Sequence, residues 1–184
     1  MKTILLLLLT SAAGLFGQET VLELDPAQSQ VQFTLNDVLH TVKGTFKLTR
    51  GTVHYDFATG KSSGEIVIDA RSGESGNEAR DKRMHRSILE SERYPEIVFV
   101  PDRVEGTLAN ANLHGVFRIH GAGHELTVAV KAVPGGDKLD LTTQFVVPYV
   151  EWGMKNPSTL FLRCSDKVNI DLHAVGRIQV DGSR

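Results

Sequence analysis

The chain has 184 residues, with 20 Lys or Arg against 22 Asp or Glu, 41% hydrophobic and 7% aromatic side chains. A net charge of -2 leaves no basic surface large enough to make nucleic acid the default partner, and the apolar content is too high for a disordered chain. The single cysteine, Cys164, excludes an intrachain disulfide, so one domain of this length must be held by its own core.

Residues 1–17 read differently from the rest. Lys2 precedes the apolar run Ile4 to Leu9, and small residues from Thr10 to Gly14 follow, the three regions of a secretory signal peptide. The run is too short for a bilayer core of about 30 Å, which takes about 20 helical residues. Cleavage after Ala13 and after Gly17 both fit; the second leaves residues 18–184 as the domain.

From there on the dominant pattern is alternation of apolar and polar residues, the signature of strands with one buried face. Val31, Phe33 and Leu35 alternate with Gln30, Gln32 and Thr34. Val42, Phe46 and Leu48 follow, and the phase changes across Arg50-Gly51 to Val53, Tyr55 and Phe57, which predicts a bulge rather than a broken strand. Ala58 to Lys61 reads as the turn of a hairpin into the strand carrying Ile66 and Ile68.

Helical character is confined to one segment. Ser75-Gly76-Asn77-Glu78 fits a capping box with Ser75 at the N-cap, Met84 and Ile88 then fall four apart on one face, and Tyr94-Pro95 is expected to end the run. Arg80, Asp81, Lys82, Arg83, His85 and Arg86 make it the densest charged stretch, either a solvated face or a cationic rim for a polar head group.

Alternation resumes through Glu96 to Val100, Val104 to Leu108, Leu113 to Ile119, Leu126 to Ala132, Leu139 to Val147 and Val168 to Ala174. Short Gly or Pro turns between them require antiparallel neighbours. About ten short strand segments and one helix predict an all-β fold, an antiparallel barrel of about eight strands that leaves no free sheet edge. Its interior would be rich in Val31, Phe33, Phe46, Phe99, Phe117, Ile119 and Phe145, which could form a packed core or line a cavity for an apolar ligand. Periodicity does not separate the two.

The chain carries no G-x-S-x-G elbow, phosphate-cradling loop or dinucleotide motif, and nothing in it calls for a cofactor. His120-Gly121-Ala122-Gly123-His124, with His114, is the one arrangement that suggests a metal, although a turn does not put both imidazoles on one face. Cys164, in an apolar stretch, reads as a small core thiol. Trp152 and Met154, in the segment 148–158 with a proline near each end, read as a rim loop packed over the barrel end or as a flap over its mouth.

Arg80-Asp81 through Met84-His85, followed by Tyr94-Pro95-Glu96-Ile97-Val98-Phe99, resembles a signature of the YceI-like family of lipid- and polyisoprenoid-binding proteins. Asp25 to Phe33, His40 with Val42 to Phe46, and Gly115 to Gly121 are similar to further family segments, so the likeness runs from about residue 20 to 175. The resemblance implies an exported, lipocalin-like extended barrel whose apolar pore holds a long-chain amphiphile such as an isoprenoid or quinone, without catalysis. On this reading the pore residues above, with Met84, Ile88, Trp152 and Met154, contact the tail. Arg80, Arg83, His85 and Arg86 form the head-group rim. Gln28-Ser29 and Leu89-Glu90 depart from the usual pattern and leave head group and chain length open.

The expected partner is an isoprenoid or other long-chain lipid in the periplasm or outside the cell, with transient membrane contact and a homodimer left open. The competing readings are a metal-dependent hydrolase using His114, His120 and His124, and a packed interaction module that uses the Arg80 to Arg86 helix.

Overall fold

The computed structural model describes residues 20–36, 41–136, 138–159 and 163–180. Eight strands follow one another in chain order around a closed barrel, each antiparallel to its neighbours, with the last pairing back to the first. They are β1 (Thr20–Asn36), β2 (Thr41–Asp56), β3 (Lys61–Glu74), β4 (Glu96–Thr107), β5 (Asn110–Ile119), β6 (Ala122–Gly135), β7 (Lys138–Val147) and β8 (Val168–Val180). Between β3 and β4 lies the helix α1 (Glu78–Arg83), which continues into one π-helical turn, Met84–Ile88.

The ten segments expected from alternation become eight because β2 runs through Gly51 and β4 through Pro101 without a break. Proline cannot donate to a ladder and is tolerated at a bulge. The register between β4 and β5 accordingly shifts between Pro101 and Arg103, and Gly115 sits opposite Pro101. A Cβ on Gly115 would stand 2.7 Å from the Pro101 Cα, so that partner has no side chain. The phase change at Arg50-Gly51 is the expected bulge, with the β2–β3 register shifting between Leu48 and Arg50.

The helix also differs at both ends. Its N-cap is Asn77, not Ser75: Asn77 is extended (φ -137°, ψ 109°) and accepts from the Arg80 amide at 3.0 Å. Ser75 is held instead by Asp81, whose carboxylate accepts its amide at 3.0 Å and its hydroxyl. The helical run stops at Ile88, well before Tyr94-Pro95. The Leu89 amide donates to Met84 five residues back, and Glu90 takes a positive φ of 47° that ends the winding.

The barrel interior divides in two along its axis. At the end bearing the β2–β3 and β4–β5 turns it is filled by Leu22 and Leu24 of β1, Val53 and Tyr55 of β2, Leu139 and Leu141 of β7, and their neighbours, all below 10% exposed. At the other end the interior is hollow, although β1–β2, β5–β6 and β7–β8 stay paired to their ends there. The packed half therefore holds the barrel together, and the hollow half is free to be a site.

Candidate ligand-binding pocket

A cavity of about 470 Å³ occupies the hollow half. That lies within the range of about 300–1,000 Å³ usual for ligand pockets and is about three times the engineered cavity of roughly 150 Å³ that accepts one benzene. Its wall is nearly all apolar, and it comes from one end of each contributing strand: Val31 and Phe33 of β1, Phe46 of β2, Phe117 and Ile119 of β5, Phe145 of β7. On β2, two residues further from the mouth than Phe46, Leu48 is already packed core. Ile97 of β4 lines the pocket while Phe99 is buried in the core behind it.

The helix forms one side of the mouth. Met84 and Ile88 turn into the pocket, as their four-residue spacing predicts, together with Leu89. Arg80 and Arg83, both exposed, bring the only cationic groups of the wall among the described residues to its rim. Arg80 is pinned there: its Nε donates to the Ser75 hydroxyl at 2.7 Å and an Nη to the Ser75 carbonyl at 2.8 Å. A guanidinium held by two of its donors keeps a fixed position while its remaining donors stay available to an anion.

His85 and Arg86 stand apart from the pocket. The His85 ring bridges the helix to the sheet, with Nε2 donating to the Gly73 carbonyl of β3 at 2.8 Å. A carbonyl only accepts, so the proton of neutral His85 sits on Nε2, and Nδ1 accepts from the buried Ser91 hydroxyl at 3.0 Å. Arg86 is exposed and does not line the wall.

The connection between β7 and β8 closes the other side. Three backbone bonds, Trp152 to Pro148, Gly153 to Val150 and Met154 to Tyr149, each 3.0–3.1 Å, coil residues 148–154 so that Tyr149 and Met154 reach the pocket. The Tyr149 hydroxyl donates to the Ser165 carbonyl at 2.7 Å, and burial pushes its pKa up to about 12. Asn156 fastens the returning chain by donating to the Cys164 carbonyl at 3.2 Å and to Asp166 at 2.6 Å.

Trp152 does not enter the pocket. It stacks flat on His124 at 4.2 Å between ring centroids, and it leans on the back of Phe117 at 5.8 Å. Cys164, expected as a core thiol, is partly exposed and lines the wall.

The three histidines of the metal reading are held separately. His114 on β5 bonds Thr127 at 2.7 Å, His120 (φ 51°) and Gly121 (φ 77°) make the two-residue β5–β6 turn, and His124 faces Trp152. Among the described residues, no three His, Cys, Asp or Glu come together as a metal site would require.

Leu35, Ile68, Val147 and Ile170 also line the pocket and were readable, since each continues the inward phase of an expected strand. Tyr149 and Cys164 gave no such signal, because only the coiling of the β7–β8 connection brings them in. Residues 1–17 and His40 lie outside the described residues.

The model of the YceI-like domain matches residues 22–176. No curated protein matches the chain in sequence. Among solved structures, BcnA of Burkholderia cenocepacia is similar in fold, with TM-score 0.72 and 21% identity over 83% of this chain and 98% of its own. A polyisoprenoid binding domain from Saccharophagus degradans, implicated in plant cell wall breakdown, aligns with TM-score 0.65 and 15% identity over 86% and 98%. The YceI protein of Campylobacter jejuni aligns with TM-score 0.61 and 18% identity over 76% and 86%.

Proposed function

This chain belongs to the YceI-like family, and we propose that it binds one long-chain amphiphile, a polyisoprenoid, quinone or fatty lipid, for sequestration or transport and without catalysis. The observation that carries this reading is the polarity of the pocket along its axis. Its floor is a packed core, its wall is apolar, and its mouth holds Arg80 and Arg83. An apolar tail fits inward and an anionic or strongly polar head group fits at the guanidinium groups, so the ligand has one favourable orientation. The binding domain from Saccharophagus degradans, similar in fold, supports the ligand class.

Volume sets the tail. Three times a cavity that holds six carbons corresponds to on the order of 20 carbons. At about 0.8 kcal/mol per buried methylene, such a tail gains roughly 16 kcal/mol before association costs of about 4–15 kcal/mol. A ligand bound this way survives purification. Residues 1–17 complete the proposal as an export leader, which places the protein in the periplasm or outside the cell.

The test is organic extraction and mass spectrometry of protein purified from its native compartment, with the intact mass reporting the mature N-terminus. We expect about one lipid per chain with a tail near 20 carbons. Protein that arrives lipid-free and takes up no long-chain amphiphile would overturn the reading.

A further inference from the structure

Charge is unevenly spread over this chain. The segments on the helix side, the β2 side and the β7–β8 side of the pocket mouth, residues 41–45, 74–88, 148–159 and 163–168, hold eight Lys or Arg against five Asp or Glu, which leaves twelve against seventeen elsewhere. A chain of net charge -2 thus carries a local excess of three positive charges on these sides of the mouth, while the remaining side, residues 89–96 between the wall residues Leu89 and Ile97, carries Glu90, Glu92 and Glu96 against Arg93.

The acids of these segments are also partly consumed. Asp81 accepts from Ser75 and Asp166 from Asn156, which fixes both carboxylates within the fold; Asp166, Glu74, Glu78 and Glu151 are exposed. The cations are not consumed. Lys82, Arg83 and Arg86 of the helix, Lys43 of β2, and Lys155 and Arg163 of the β7–β8 connection are all exposed. None forms an ion pair among the described residues, whereas Arg50, Arg71, Arg93 and Arg103 on other parts of the barrel do. All but Arg86 lie in or beside the pocket wall: Lys43 next to Val42, Lys82 next to Arg83, Lys155 next to Met154, Arg163 next to Cys164.

We propose that this collar is a docking surface for an anionic lipid bilayer, which seats the pocket mouth against the membrane. Unpaired cations gathered on one face are drawn to a negative surface potential, and each basic residue near such a surface is worth about a fivefold gain in partition. The argument for a bilayer over an acidic protein rests on the proposed function. A tail of about 20 carbons cannot cross water freely, so the opening it passes through must meet the surface it leaves or enters. Lys43, Lys82, Arg86, Lys155 and Arg163 hold the protein face-on and leave Arg80 and Arg83, which line the wall, to the head group.

The experiment is flotation of the full mature chain with vesicles of phosphatidylcholine alone and with phosphatidylglycerol added, at low and high salt. The variant K82Q/R86Q/K155Q removes three cations that do not line the pocket, and its melting temperature and extracted lipid content check that fold and pocket are intact. We expect binding only to the anionic vesicles, weakened by salt, and about a hundredfold weaker partition for the variant with lipid content unchanged. Equal binding to both vesicle types, no binding to either, or a variant that binds as the parent does would overturn the docking surface. Capture of an acidic protein at this face without vesicle binding would do the same. Anionic-vesicle binding by a protein that holds no lipid would instead leave the docking surface standing and remove the lipid-binding function.

Discussion

His85 is a site residue by its place in sequence and a structural one by its contacts. It stands one position from Met84, which faces the pocket, yet its ring is committed on both sides, to the Gly73 carbonyl and to the Ser91 hydroxyl. Ser91 is only 1% exposed, so without His85 its hydroxyl loses a partner that water cannot replace. Stranding a buried polar group costs about 1–3 kcal/mol, and here two are stranded. His85→Ala is therefore expected to destabilise the protein by about 3 kcal/mol, a fall in Tm on the order of 10 °C for a domain of this size. Arg86→Ala, one residue away and exposed, should stay within about 0.5 kcal/mol of the parent. Thermal unfolding of both variants checks the contrast; equal effects would mean that the bridge is not what fastens the helix. Residue type and spacing could not separate these neighbours, because the difference lies in a strand twelve positions away that a charge pattern does not show.

Elements were legible where one period governs them. The eight strands follow from alternation, and even the bulge at Gly51 shows as a phase change, because a strand with one face in a core must repeat every second residue. Pro101 misled the count, since a proline reads as a strand end unless the facing residue is known to be Gly115. The helix cap was displaced for a similar reason: Ser75 has the right chemistry, but Asp81 takes both its groups and leaves the capping to Asn77. The β7–β8 connection was least legible, because its shape rests on hydrogen bonds to backbone carbonyls rather than on any periodicity. Tyr149 offers a way to test that element. Its hydroxyl stays protonated in the fold to a pKa of about 12, against an ordinary value of 10.0. Below pH 10 both folded and unfolded states hold the proton and stability is unaffected. Between pH 10 and 12 the unfolded chain ionises first, so stability falls with rising pH, by up to about 3 kcal/mol at the upper end. Tyr55, also pushed up by burial, adds a loss of the same sign. Urea unfolding followed from pH 9 to 12 should show a shallower decline in Tyr149→Phe than in the parent; parallel curves would show that the buried hydroxyl does not anchor the connection.

At the scale of the whole molecule, packed core and binding site share one barrel and one kind of side chain. Leu24 and Phe33 lie on the same face of β1, one in the packed half and one in the hollow half, and nothing in their local sequence distinguishes them. The hollow exists because strands of 10 to 17 residues make a barrel longer than its packed half fills. Such a hollow lowers the stability of the empty protein and returns it when occupied. A ligand at a hundredfold excess over its Kd adds about 2.7 kcal/mol, so delipidation should lower the Tm by several degrees and reloading restore it. Substitutions that enlarge the wall separate space from packing. Val31 and Val147 are each 2% exposed and both line the pocket. In a filled core, Val→Phe at either site would cost about 1–3 kcal/mol by overpacking. Facing a cavity, the added ring fills it, and the delipidated double variant V31F/V147F should be more stable than the delipidated parent by about 0.5–2 kcal/mol. The same rings take up volume that the tail would occupy, so lipid extracted from the variant should be shorter-chained or absent. A double variant that melts below the delipidated parent, with no lipid extracted from either protein, would show that this end of the barrel is packed, and that its apolar wall is core after all.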